Sequence, residues 1–168
     1  MSLPNWITTS RIILSPLVIL LLLSNDVFWN VFIAGSLFIF LSLSDALDGY
    51  WARKLDEISD LGKILDPLAD KFLVSLVLVT LVAIGKAALL PVLIIVGREI
   101  LITGLRIKQS GNNEIMSANI LAKTKTVVQM AAILMAIYGF SYAAETMWAA
   151  AILSLLSGAV YLWPKKEE

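Results

Sequence analysis

Three stretches of this chain, residues 27–44, 126–144 and 146–164, run without a single charged side chain. A transmembrane helix needs about 20 mainly apolar residues, and each run comes close to that length. Three further stretches, 6–23, 61–85 and 87–108, are apolar with charges near their ends. The expectation is an all-α polytopic membrane protein: six transmembrane helices in a single integral-membrane domain over residues 1–168, with no separate soluble domain. Composition agrees. Of the 168 residues, 59% are hydrophobic and 15% charged, against about 25% charged in an average soluble domain. The N-terminus reads as a first helix and not as a signal peptide, because it lacks a basic leading region and Arg11 interrupts its apolar run.

The breaks between runs are short at 24–26, 85–87 and 141–146, and longer and polar at 54–60 and 108–119. Six helices put both termini on one side. Arg53, Lys54, Lys63, Lys108, Lys123, Lys125, Lys165 and Lys166 fall at ends on that side, whereas the other side has Lys86. Cytoplasmic loops carry the excess of Lys and Arg, so the termini are expected to face the cytoplasm. The formal net charge is zero, which offers no argument for a nucleic-acid partner.

Against this apolar background, Ser44 to Lys71 holds seven acidic residues: Asp45, Asp48, Asp56, Glu57, Asp60, Asp66 and Asp70. The chain has no His and no Cys, which excludes imidazole or thiolate metal sites, catalytic triads and disulfides. Any metal must be hard and bound by oxygen, which favours magnesium, manganese or calcium. Asp45 and Asp48 are three apart near the end of the second run; Asp66 and Asp70 are four apart at the start of the third. Each spacing puts its pair on one helix face. Four bare carboxylates at membrane depth would repel one another and resist burial. A pair of divalent cations removes both objections, and two bridged metals about 4 Å apart suit phosphoryl transfer. Gly49, Ala52 and Gly62 leave room for a bulky ligand or close helix approach. Arg53, two turns beyond Asp45, could hold a phosphate bidentately.

The bland reading of an Asp near a helix end is a cap or a solvated side chain, and Asp56, Glu57 and Asp60 are assigned to it. Four Asp with Gly, Ala and Arg at fixed offsets are not. An EF-hand is excluded, since its ligands come from one 12-residue loop and these are split between two helices.

The stretch reads D-x(2)-D-G-x(2)-A-R-x(8)-G-x(3)-D-x(3)-D, filled by Asp45, Asp48, Gly49, Ala52, Arg53, Gly62, Asp66 and Asp70. It resembles the signature of the CDP-alcohol phosphotransferases, and the six-helix layout is similar to theirs along the whole chain. The resemblance implies transfer of a substituted phosphoryl group from a CDP-linked donor to an alcohol, with release of CMP. It implies two Mg2+ or Mn2+ ions, one on Asp45, Asp48 and Asp66, the other on Asp45, Asp66 and Asp70. Asp70 would also take the proton of the acceptor hydroxyl. Gly49, Ala52 and Arg53 would contact the CDP portion, with Ser59, Asn5 and Thr8 as further candidates. It also implies a homodimer in the bacterial cytoplasmic membrane, with the active site facing the cytoplasm. No GxxxG motif supports the dimer independently.

The acceptor must be chosen by the rest of the chain. Arg11 is a charge within an apolar run, which normally faces a partner or a cavity. Arg98 and Arg106, eight apart in the fourth run, share a face, while Glu99 next to Arg98 is expected to point elsewhere. Lys123, Lys125 and Gln129 lie where the fifth helix begins. Such a ring of cations suggests an anionic acceptor, held by Arg98, Arg106 and Lys123, with Lys125 and Arg11 as weaker members. The alternative is that cations here mark the cytoplasmic side or snorkel to it, and Lys54, Lys108, Lys165 and Lys166 are assigned to that. The segments "PNWITTSR", "REI" with "GLR", and "KTKTVVQM" are similar to the phosphatidylglycerophosphate synthase branch of the family, departing at Ala122, where Gly would be expected. The implied substrates are CDP-diacylglycerol and glycerol 3-phosphate. The nearest rival within the fold is a cardiolipin synthase, with phosphatidylglycerol as acceptor. A cation channel or transporter would need carboxylates near the bilayer midplane and broken helices there. A non-catalytic membrane scaffold would not need the intact motif.

Overall fold

The computed structural model describes residues 3–24, 28–55, 60–110 and 120–162, with side chains placed at 13–24, 28–44, 71–105, 121 and 123–160. All regular structure among these residues is helical: α1 (Leu3–Leu23), α2 (Phe28–Leu55), α3 (Asp60–Ala83), α4 (Leu89–Ser110), α5 (Ile120–Tyr138) and α6 (Ala143–Leu162). At 1.5 Å per residue, helices of 19 to 28 residues are about as long as a bilayer core is thick.

The chain divides into two units, Met1–Ile84 and Gly85–Glu168. In the first, α1 packs along both α2 and α3. Its core is aliphatic and aromatic, with Val18, Phe38, Leu73, Val77, Leu78 and Leu81 almost wholly buried. Ser24 joins α1 to α2: its hydroxyl donates to the Leu21 carbonyl (2.7 Å) and accepts from Asn30 Nδ2 (2.9 Å).

In the second unit, α6 packs against α4 and α5. Small residues line its contacts: Ala132 and Ala136 of α5, and Ala150, Ala151 and Ser154 of α6, are buried. Small side chains let helix backbones approach closely, and that contact supplies the packing where solvent is as apolar as the side chains. The α5–α6 turn is a Schellman motif. Gly139 takes the left-handed conformation (φ 72°), its amide donates to the Ala136 carbonyl (3.3 Å), and the Phe140 amide donates to that of Met135 (2.9 Å). Lys86 Nζ donates to the Ile137 carbonyl (2.7 Å), bringing positive charge to the end of a helix where orphan carbonyls concentrate.

Burial is partly inverted relative to a water-soluble protein. Glu99, Thr103, Lys125, Gln129 and Ser154 are buried, whereas Ile13, Phe28, Ile100 and Val127 are each at least 67% exposed. Bulky apolar side chains over so much of the outer surface would be a liability in water and suit a hydrocarbon solvent. Among the described residues, Ala143–Val160 is apolar and long enough to cross a membrane by length and composition alone; Ile13–Leu23, Phe28–Ser44 and Lys71–Ala83 are shorter apolar segments.

Helix ends differ from the sequence expectation in several places: α4 runs on to Ser110 and α6 starts at Ala143, each inside an expected break. α2 continues through Lys54 to Leu55, and Asp60 is the first residue of α3, so residues 54, 55 and 60 of the expected polar break are helical. Charge does not end a helix that leaves the apolar layer. α5 stops at Tyr138, inside the uncharged run 126–144, because the left-handed Gly139 ends it while hydropathy continues unchanged.

Candidate active site

In the first unit, α2 carries Asp45, Asp48, Gly49, Ala52 and Arg53, and α3 carries Gly62, Asp66 and Asp70. Both segments are helical throughout. Asp45 and Asp48 are therefore separated by about 4.5 Å of rise and Asp66 and Asp70 by about 6 Å, each pair on one face. Pro67 lies between the latter two, at the eighth position of α3, where a proline removes an intrahelical N–H bond. Asn5, Thr8 and Arg11 follow one another at intervals of three on α1, the helix that packs along both α2 and α3. The side chains of all these residues lie outside the described set, and Ser59 lies outside it altogether. Among the described residues no cluster of metal-ligating side chains occurs. The donors fit hard divalent ions by chemistry: four carboxylates at helical spacing, with no imidazole or thiolate ligand anywhere in the chain.

In the second unit the cations are resolved in more detail. Glu99 of α4 and Lys125 of α5 are each 5% exposed, and Lys125 Nζ donates to Glu99 Oε1. Arg98 Nη1 donates to the same oxygen at 3.3 Å, and Arg98 Nη2 donates to Ser157 Oγ of α6 at 2.8 Å. Ser157 Oγ in turn donates to the Ser154 carbonyl (3.1 Å). Gly158 completes the seat: a Cβ there would lie 3.3 Å from Arg98 Cγ, tighter than side-chain packing normally allows. Lys123 is exposed, Gln129 and Thr103 are buried, and the Arg106 side chain lies outside the described set.

This corrects one expectation. Arg98 and Glu99 do not point apart; their side chains meet. Adjacent helical positions diverge at Cβ, but a long guanidinium can bend back, and at low dielectric an opposite charge next door is reason to do so. Ser157 and Gly158 were not singled out by the sequence at all. Nothing in a run of small and apolar residues marks the two that seat an arginine 59 positions away. Glu99 did carry a signal, being the one carboxylate in the fourth apolar run.

The chain belongs to the CDP-alcohol phosphatidyltransferase family, whose family model matches residues 1–156. Divalent-metal dependence goes with that membership. Among curated proteins it is similar to the CDP-diacylglycerol--glycerol-3-phosphate 3-phosphatidyltransferase of Bacillus subtilis (strain 168), 36% identical over 95% of this chain and 93% of that one. The proteins of the same name from Mycoplasma pneumoniae and Rickettsia bellii are 41% and 34% identical, over 83% and 95% of this chain and 69% and 93% of their own.

Proposed function

We propose that the protein transfers the phosphatidyl group of CDP-diacylglycerol to glycerol 3-phosphate, giving phosphatidylglycerophosphate and CMP. The observation that carries this reading is the eight-position Asp–Gly–Ala–Arg motif laid on two continuous helices, α2 and α3. The names of the relatives and the cations of α4 and α5 support the choice of acceptor.

In this reading a hydroxyl oxygen of glycerol 3-phosphate forms a bond to the phosphorus of the phosphatidyl group. The bond from that phosphorus to the bridging oxygen of the pyrophosphate breaks, and the electron pair leaves with CMP. Asp70 accepts the hydroxyl proton as attack proceeds, the role of a positioned general base. Asp45, Asp48, Asp66 and Asp70 would hold two Mg2+ or Mn2+ ions, which supply charge neutralisation at the reacting phosphate. Arg53, Gly49 and Ala52 would receive the CDP portion, with Asn5, Thr8 and Ser59 contributing. Arg106 would lead the contacts to the acceptor's phosphate, with Arg98 and Lys123 as further cations. A phosphate dianion out of bulk water needs such charge-assisted donors.

All six helices are proposed to span the bilayer, with the termini and the carboxylates on the cytoplasmic side of a bacterial plasma membrane and two copies forming a homodimer. The deciding experiment supplies purified protein with CDP-diacylglycerol, Mg2+ and a panel of alcohols, and identifies the lipid formed. Phosphatidylglycerophosphate made from glycerol 3-phosphate is the expected product. Cardiolipin from phosphatidylglycerol, with no use of glycerol 3-phosphate, would replace the acceptor assignment.

A further inference from the structure

Glu99 and Lys125 are both buried, on α4 and α5, and form an ion pair. A lysine held by a buried carboxylate has its ammonium turned to that partner, and the pair links two helices directly. From the same carboxylate the connection continues through Arg98 to Ser157 of α6, so one oxygen connects α4 by side chains to both α5 and α6. Along α4, Glu99, Thr103 and Arg106 follow at offsets of four and three. An offset of seven returns to within about 20° of the same face. Arg106 is thus placed two turns beyond Glu99 on the stripe that carries the ion pair and the buried Thr103. Lys125 lies inside the unit; Lys123, two positions earlier, is exposed.

We propose that Glu99 and Lys125 form a positioning pair: they set α4 against α5 so that the α4 face carrying Arg106 meets the acceptor's phosphate, and Lys125 does not itself touch the acceptor. The inference rests on the glycerol 3-phosphate reading above. Its physical content is compensation. Removing Glu99 takes from Lys125 and Arg98 the carboxylate they share, whereas removing Glu99 and Lys125 together leaves one buried cation fewer to compensate.

The test measures kcat and KM for glycerol 3-phosphate, with KM for CDP-diacylglycerol alongside, in Glu99→Gln, Lys125→Met, the double variant and Lys125→Arg. Each uncompensated variant is expected to raise the acceptor KM by about tenfold or more. The double variant should return it to within about threefold of wild type, with the donor KM unchanged throughout, and Lys125→Arg should stay close to wild type. A double variant no better than Lys125→Met would make Lys125 an acceptor ligand and overturn the proposal. So would single variants with normal acceptor KM, or a double variant that loses donor use and therefore does not fold. If the wild-type protein uses a different alcohol, the glycerol 3-phosphate reading fails separately. The same four variants are then compared on the KM of that alcohol.

Discussion

Asp70→Asn exchanges one carboxylate oxygen for an amide that cannot accept the acceptor's proton. With Asp70 as base, this variant should lose roughly 10²- to 10⁴-fold in kcat while KM for CDP-diacylglycerol stays near normal. Steady-state kinetics with each substrate varied in turn checks it, and near-normal turnover would remove Asp70 from the role. Asp45→Asn and Asp66→Asn should behave differently, because each is proposed to bridge both ions; the Mg2+ concentration for half-activation should rise along with the loss of rate. On the acceptor side, a charge-assisted hydrogen bond contributes about 1.5–3 kcal/mol. Arg106→Ala should therefore raise the glycerol 3-phosphate KM by roughly ten- to a hundredfold and leave the donor KM unchanged. Equal damage to both would point to folding or to a phosphate site shared by the two substrates.

At the scale of helices and turns, the α5–α6 connection concentrates its specification in Gly139. Gly139 holds a backbone angle of φ 72°, which for an L-residue with a side chain costs about 1–2 kcal/mol. No atom lies near enough to obstruct an added methyl, so the penalty in Gly139→Ala is one of backbone alone. The expected result is a lower thermal unfolding midpoint in detergent with catalysis unaltered at low temperature. The acidic residues between the two halves of the motif make a contrasting prediction. Asp56, Glu57 and Asp60 stand outside its eight positions, and substitutions away from packed or catalytic groups usually change stability by about 0.5 kcal/mol or less. Their Ala variants should remain active in the same assay, and a severe loss in any of them would enlarge the proposed site.

For the whole molecule, the proposed six-span arrangement with both termini inside can be tested directly, because the chain has no cysteine to confuse labelling. Ala88→Cys, at the exposed start of α4, should react with a membrane-impermeant maleimide added outside intact cells. Lys166→Cys should react only after permeabilisation. The reverse pattern would invert the orientation and place the carboxylates on the outer face. Removing divalent metal with a chelator should abolish turnover in every preparation, and Mg2+ or Mn2+ should restore it.

The membrane class, the helical architecture and the spacing of the four Asp were all legible in the sequence. Each depends on local quantities: the length of an uncharged run, and the 3.6-residue period that puts positions three or four apart on one face. Gly139 could be read as a turn only once its left-handed backbone was known, since the residues around it are as apolar as those of the helices it joins. What tertiary structure alone decided is which charges neutralise which. Arg98 and Lys125 read in the sequence as two cations available to an anion; folding brings both to Glu99, and brings Ser157 and Gly158 of α6 around the arginine. Nothing local encodes a pairing across 26 or 59 positions. It follows from helix packing, which buries these groups together where water cannot separate them.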